Sequence, residues 1–225
     1  MRRRIDKWVR IALIFTVGIL WIPLQIEAQD RIERAIQRYE SPRRARWQKP
    51  DDVVRALQLR PGMVVVDIGA GTGYFTRRFA RVVGPEGRAI GLDIEPRMVA
   101  YMREDAHRRG LTNYEARLVR ADDPGLPDAF ADVIFLCNTY HHIQNRVRYF
   151  RNIRHALKPG GRLVIVDFYR DRNIPVAPPK WMRVARDQVV RELNTAGYRL
   201  LREHTFLPYQ YFLEFVVAGG TGGDS

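Results

Sequence analysis

From residue 51 onward the apolar positions alternate between runs suited to strands and stripes suited to helices. Met63–Ile68 is a β-branched run that predicts a strand covered on both faces. Tyr74–Val83 predicts a helix, and Gly84-Pro85-Glu86-Gly87 a turn. Arg88–Ile94 predicts a second strand. Pro96–Arg109 follows as a helix, with proline in its first turn and Gly110 past its end. Tyr114–Arg120 and Asp132–Asn138 read as the third and fourth strands, Arg146–Leu157 as a helix, Lys158–Gly161 as a turn and Arg162–Phe168 as the fifth strand. Asp187–Ala196 predicts a helix closed by Gly197. Tyr198–Phe206 and Tyr209–Val217 predict two strands joined through Leu207-Pro208, a link too short for a crossover, so these two run antiparallel.

Upstream, Asp51 can cap a helix reaching Leu59 that places Val53, Val54 and Leu57 on one face, and Arg60-Pro61-Gly62 is a turn. Asp30–Glu40 is polar and helix-compatible, and Ser41–Pro50 reads as an arginine-rich linker carrying Trp47. The tail Gly219–Ser225 has no core residues. Alternating strands and helices imply an α/β fold with a doubly wound, mostly parallel sheet. Ligands of such sheets bind beyond the carboxyl ends of the strands, near the point where strand order reverses. The first strand ends at Asp67, and three glycines follow at once.

Composition adds a size and a charge. The 225 residues suffice for one α/β domain and an extra segment, and 46% hydrophobic content can fill a core. The net charge of +13 is mostly arginine, and roughly half of the excess lies in the first 50 residues, so it is not one face of the domain. No basic run is interleaved with aromatics and no nucleic-acid module is present, which turns the reading away from nucleic acid and toward an arginine-rich surface without a specific partner. The single cysteine, Cys137, rules out an internal disulfide and a CxxC metal site; a His/Asp site is left open, but no HExxH spacing occurs, and no metal is expected. Nothing in the sequence sets the oligomeric state.

The N-terminus has its own pattern. Arg2, Arg3, Arg4, Lys7 and Arg10 precede an apolar run from Ile11 to Leu24, and small Ala28 stands where a cleavage residue would. This describes a signal peptide over residues 1–28 or, since the run is short of the roughly 20 residues of a full span, a short membrane anchor. Any membrane contact falls on this segment. Charge asymmetry puts the N-terminus inside and the domain outside, exported or periplasmic, with the inner face of the membrane as the alternative. The division is then 1–28 signal or anchor, 29–50 linker and N-terminal lid, 51–218 the α/β domain, and 219–225 a tail.

The candidate chemistry begins at Gly69, Gly71 and Gly73, placed between a buried strand and a helix where the chain must turn sharply or let a ligand approach its backbone. The spacing is GxGxG, unlike the GxGxxG of dinucleotide folds, which counts against a nucleotide-dependent dehydrogenase. Asp93 ends the second strand about twenty residues on, where a carboxylate can accept both ribose hydroxyls or, alternatively, cap the helix ahead of Pro96. Asp67 can fix the loop's amides or bond a cofactor's amino group.

Val65–Phe75, containing Asp67-Ile68-Gly69-Ala70-Gly71-Thr72-Gly73, resembles the first motif of class I S-adenosylmethionine-dependent methyltransferases. Gly91-Leu92-Asp93 resembles their second acidic strand end, Ala121-Asp122-Asp123 with Leu126-Pro127 their adenine-side loop, and Lys158-Pro159-Gly160-Gly161-Arg162-Leu163 the turn before their fifth strand. The likeness covers about residues 50–217 with the motifs in order. It implies a seven-stranded, Rossmann-like sheet with an antiparallel last strand, and S-adenosylmethionine as the cofactor. It implies that Asp122 lies near the adenine, with Asp123 an adjacent candidate. Trp47-Gln48-Lys49-Pro50 would fold over the cofactor as lid segments of this fold do. An exported domain would need a supply of a cofactor made in the cytoplasm.

Methyl transfer from a sulfonium is an in-line displacement, so orientation and desolvation carry much of it, and a base is needed only where the acceptor must lose a proton. The fourth strand ends in Asn138-Thr139-Tyr140-His141-His142, which should open onto the methyl donor, with Asn138 among the cofactor-binding residues. His141 or His142 can serve as the base or orient the acceptor, and Tyr140 can line the pocket; alternatively one histidine packs in the core and the other caps the next helix. Adjacent histidines should point apart, and no carboxylate is spaced to join them in a metal site. Asp167 can also face the pocket, and Tyr209-Gln210-Tyr211 can cover a substrate. Cys137 lacks the loop motif of a cytosine-methylating nucleophile, and the aromatic-proline motif of adenine-N6 enzymes is absent. The function expected is methyl transfer to a small-molecule or lipid-like acceptor, the alternative an exported or membrane-attached S-adenosylmethionine-binding module without transferase activity.

Overall fold

The computed structural model describes residues 30–219. The expected signal or anchor, residues 1–28, lies outside them, as does the tail beyond Gly219. Among the described residues no helix is long and apolar enough to cross a membrane. The chain divides into two compact units, 1–40 and 41–225. In the first, residues 30–40 are helical (α1).

The second unit holds a seven-stranded sheet: β1 (Val64–Ile68), β2 (Arg88–Asp93), β3 (Tyr114–Leu118), β4 (Ala131–Cys137), β5 (Leu157–Phe168), β6 (Tyr198–His204) and β7 (Gln210–Val217). The strand order is β3-β2-β1-β4-β5-β7-β6. Strands β1 to β5 are parallel, and β7 runs antiparallel to both of its neighbours, as the short Leu207-Pro208 link requires. The order reverses between β1 and β4, so the loops leaving these two strands flank the crevice where such sheets take ligands.

Side chains of the central strands alternate between two cores, which is the period of two expected for a sheet covered on both faces. Val65, Val133, Phe135, Val164 and Val166 pack on one face with α3 (Pro50–Ala56), α4 (Thr76–Val83) and α5 (Pro96–Arg108). Val66, Ile134, Leu136, Leu163 and Ile165 pack on the other with α6 (Arg146–Ile153) and α7 (Arg186–Thr195).

Three local readings change. The segment expected as a linker, 41–50, is helical: α2 (Pro42–Gln48) is capped by Ser41, whose hydroxyl accepts from the Arg43 amide at 3.3 Å, and has proline at its start. It stops at Lys49, whose left-handed φ of 43° turns the chain into α3. The helix expected to reach Leu157 ends at Ile153. A single 3-10 turn follows, because the carbonyls of His155 and Ala156 accept the amides of Ala129 and Phe130 from the loop before β4. The Lys158–Gly161 turn bulges out of β5 rather than preceding it, with Ala131 opposite Leu157 and Val133 already opposite Arg162.

Candidate functional site

The glycine loop leaves β1 with Gly69, Gly71 and Gly73 all at positive φ (70°, 56° and 71°). Two of these positions also lack room for a side chain. A Cβ on Gly69 would meet the Thr139 side chain at 2.4 Å, and one on Gly73 the Tyr114 hydroxyl at 1.6 Å. Gly69 and Ala70 donate their amides to the Leu92 carbonyl at 2.8 and 3.0 Å, which ties the loop to β2.

Asp93, at the end of β2, accepts the Gly71 amide at 2.7 Å on one oxygen and the Glu95 amide at 3.0 Å on the other. It thus braces the loop and holds the amide of Glu95, the residue that caps α5, with lone pairs remaining for a ligand's hydroxyls. Burial raises its pKa against the pull of these amides. Asp67 is buried, and its side-chain bond comes from the Thr76 hydroxyl at 2.7 Å, the first residue of α4, rather than from the loop amides. Burial pushes its carboxyl up to about 7, although the Thr76 bond and the charge of Arg44 work the other way. In the same loop the Thr72 hydroxyl is buried with no hydrogen-bond partner among the described residues. A buried carboxyl bonded by the Thr76 hydroxyl, a buried hydroxyl and a cramped glycine backbone fit a ligand bearing a cationic amino group and hydroxyls.

Helix α2 closes this side. The Arg44 guanidinium lies 4.0 Å from the centre of the Tyr74 ring. Its Nε donates to Gln48 at 3.4 Å, Gln48 donates to Gln210 at 2.6 Å, and Gln210 donates to the side-chain oxygen of Asn138 at 2.7 Å. Trp47 packs on Phe168 and Tyr209, and the Lys49 ammonium caps the Phe206 carbonyl at 3.0 Å. The segment expected as a lid is therefore anchored across the ends of β5 and β7. Asn138 sits directly after β4 at φ 58°, and the next residue, Thr139, donates to the Gly69 carbonyl at 3.3 Å, joining the β4 end to the glycine loop.

The histidines separate in role. The Nδ1 of His141 lies 2.9 Å from both oxygens of Asp167, at the end of β5. The backbone amides of Phe168 and His141 also donate to that carboxylate, at 2.8 and 3.3 Å. It therefore acts as an acceptor, and Nδ1 carries the hydrogen, leaving the lone pair on Nε2. The His141 side chain is only 3% exposed, while His142 is exposed. The two rings, expected to point apart, pack 4.1 Å from each other, and a carboxylate does reach His141, though from β5 across the sheet. Burial and then the neighbouring His141 lower the pKa of His142.

Tyr140 does not line the pocket. It is fully buried, stacked on Phe150, and its hydroxyl donates to Glu192 of α7 at 2.6 Å, because the 3-10 turn of residues 140–142 directs it into the α6/α7 core. Tyr211 is likewise buried, donating to the Val184 carbonyl, so Gln210 is the member of Tyr209-Gln210-Tyr211 that faces the site. Asp122 stands apart: its side chain is 72% exposed and paired with Arg120, which holds its carboxyl below the usual range. Asp123 bonds the Gly125 amide. Burial pushes the Cys137 thiol up to about 12, so it stays protonated at neutral pH.

The residues missed from sequence are Thr76, Thr139 and Arg44. The first two adjoin named motifs, and Arg44 lay in the segment taken as a linker.

A family model described as a methyltransferase domain matches residues 59–203. The ubiquinone/menaquinone biosynthesis C-methyltransferase UbiE of Vibrio campbellii (strain ATCC BAA-1116) is 34% identical over 110 residues, 48% of this chain and 42% of that protein. Its counterpart from Idiomarina loihiensis (strain ATCC BAA-735 / DSM 15497 / L2-TR) is 37% identical over 112 residues, 49% and 44% of the two chains. The chain thus spans less than half the length of these curated relatives. Among solved structures, a SAM-dependent methyltransferase from Aquifex aeolicus is similar with a TM-score of 0.76 at 25% identity, over 84% of this chain and 98% of that one. The [4+2]-cyclase SpnF is similar with a TM-score of 0.61 at 26% identity, over 70% and 59%.

Proposed function

Because the chain belongs to the methyltransferase-domain family of class I S-adenosylmethionine-dependent enzymes, we propose that it methylates a small-molecule or lipid-like acceptor with His141 as its general base. One observation carries the reading: the His141–Asp167 pair stands at the ends of β4 and β5, two residues from the Thr139 bond to the glycine loop. S-adenosylmethionine supplies an activated methyl group on a sulfonium. Asp67 would face its amino group and Asp93 its ribose hydroxyls. Asp167 fixes the imidazole tautomer, and Nε2 takes the proton that the acceptor must lose. Likeness to C-methyltransferases of quinone biosynthesis supports an acceptor whose carbon or oxygen becomes nucleophilic on deprotonation.

Transfer of labelled methyl to an acceptor panel, with calorimetry of donor binding, tests this. His141→Ala should lose about 10²- to 10⁴-fold in rate while donor affinity holds. An unchanged rate would remove the base, and absence of donor binding in the unaltered protein would remove the whole reading. Likeness to a [4+2]-cyclase favours a second reading, a donor-binding module that transfers no methyl, and a labelled product would exclude it. Export or membrane attachment through residues 1–28 is part of the proposal. The N-terminal sequence of the mature protein and its cell fraction decide between an outside location and the inner membrane face.

A further inference from the structure

A cleft of about 340 Å³ opens beside His141, with Arg146, Arg170, Trp181, Met182 and Arg183 in its wall. The charges here do not balance. Arg146 is neutralised by Glu192, which accepts from it at 2.6 and 2.9 Å and also from Tyr140 and Gln188. Asp167 is engaged by His141. On the outer side, Arg186 holds Asp187 and Glu203. Asp171 adjoins Arg170 along the chain without lining the cleft.

Among the described residues no carboxylate pairs with Arg183. Its residue is 6% exposed, and its guanidinium donates to three backbone carbonyls, those of Pro178 (2.6 Å), Tyr169 (3.2 Å) and Arg172 (3.0 Å). Carbonyl dipoles orient a guanidinium but do not cancel its charge, so a nearly buried cation stays uncompensated at the wall. Arg170 is exposed, with neither an ion pair nor a hydrogen bond among the described residues. Beside them Trp181 is 78% exposed, an unusual place for a large apolar residue unless something covers it.

We propose that this cleft selects an acceptor carrying an anionic group, a carboxylate or phosphate, on an apolar or aromatic body. The anion sits between Arg170 and the Nη2 end of Arg183, whose guanidinium is already fixed through Nε and Nη1 by three carbonyls and so loses little freedom on binding. The body lies on Trp181 and Met182, and the atom to be methylated turns toward Nε2 of His141. The substrate class rests on the methyltransferase reading of the same site.

Tryptophan fluorescence of the full chain, titrated with 3-hydroxy-2-naphthoate, its methyl ester and 1-naphthyl phosphate, tests the selection. Trp181→Phe identifies the reporting ring, and the donor is titrated separately by calorimetry. The carboxylate or the phosphate should bind roughly tenfold tighter than the ester, and Arg170→Gln, an exposed change that spares the fold, should erase most of that difference. The tighter of the two anions names the source. Equal binding of acid and ester, or an advantage unmoved by both Arg170→Gln and Arg183→Lys, overturns the proposal. If the donor binds and the anion preference is absent, only the substrate class fails. If the donor does not bind, the methyltransferase reading fails with it.

Discussion

The two halves of the crevice are built by different means. On the β1–β2 side the working surface is backbone: three glycines at positive φ, two amides on the Leu92 carbonyl and one on Asp93. Its parts come from a short stretch of chain and the neighbouring strand end. On the β4–β5 side the surface is made of side chains brought together from distant segments: His141 from the turn after β4, Asp167 from β5 and Arg183 from the loop before α7. The first half is a rigid cradle that tolerates little variation. The second is an assembly whose members can be exchanged without disturbing the sheet, which is where a shared fold changes acceptors.

Substitutions can break this contrast, and the largest effect should fall on the assembled half. In Asp167→Asn the new amide can donate to Nδ1, which moves the imidazole hydrogen to Nε2 and removes the base. The catalytic rate should fall about 10²- to 10⁴-fold with donor affinity little changed. A matching loss of donor affinity would mean that the two halves are not separable.

Asp67→Asn probes the cradle in the opposite sense. The carboxyl has a folded-state pKa of about 7 against 3.8 in the free chain, so the folded state binds the extra proton between these values. Stability from this group is therefore full below about pH 4 and lost as the pH rises through 7, a difference on the order of 4 kcal/mol. Asparagine can keep accepting from Thr76 and never ionises. The variant should melt several degrees higher than the unaltered protein at pH 8, with the advantage vanishing near pH 4, while donor affinity at pH 8 falls. Thermal melts across that range check the sign.

Gly73→Ala should cost roughly 3 kcal/mol in denaturant unfolding, from a left-handed backbone and a Cβ driven onto Tyr114. Tyr114→Phe in the same background should recover part of the loss, which a purely backbone penalty would not allow. The smallest effect belongs to Asp122→Ala. Its exposed pair with Arg120 is a surface bond, so the melting temperature should not move. A clear drop in donor affinity would nevertheless bring Asp122 into the cradle.

The same contrast explains what could be read from the sequence. The alternation of strands and helices, the antiparallel final pair and the Asp67–Gly73 loop follow from local period, turn chemistry and a link too short to cross over, all contained in contiguous residues. Asp93 was legible because it lies one strand away. The His141–Asp167 pair was not, because its partners are 26 residues apart and meet only through the β4–β5 register, which aligns Cys137 with Val166. Tyr140 was misplaced for a related reason: a 3-10 turn rotates successive side chains by about a third of a turn, so His141 faces the cleft while its neighbour enters the core. Helix α2 was hidden by its arginines, which depress the hydrophobic signal although Ser41 and Pro42 mark its start.

The row of bonds from Arg44 through Gln48 and Gln210 to Asn138 has a directional consequence. Gln48 and Gln210 each accept from the group before and donate to the one after, so neither amide can turn over without setting like poles against both of its neighbours. The row therefore links two binding events by reciprocity. A molecule that steadies the Asn138 side chain must hold α2 to the sheet more firmly by the same free energy, and one that draws Arg44 inward must steady Asn138 in return. Occupancy of one half of the crevice would then change the affinity of the other half by the same free energy.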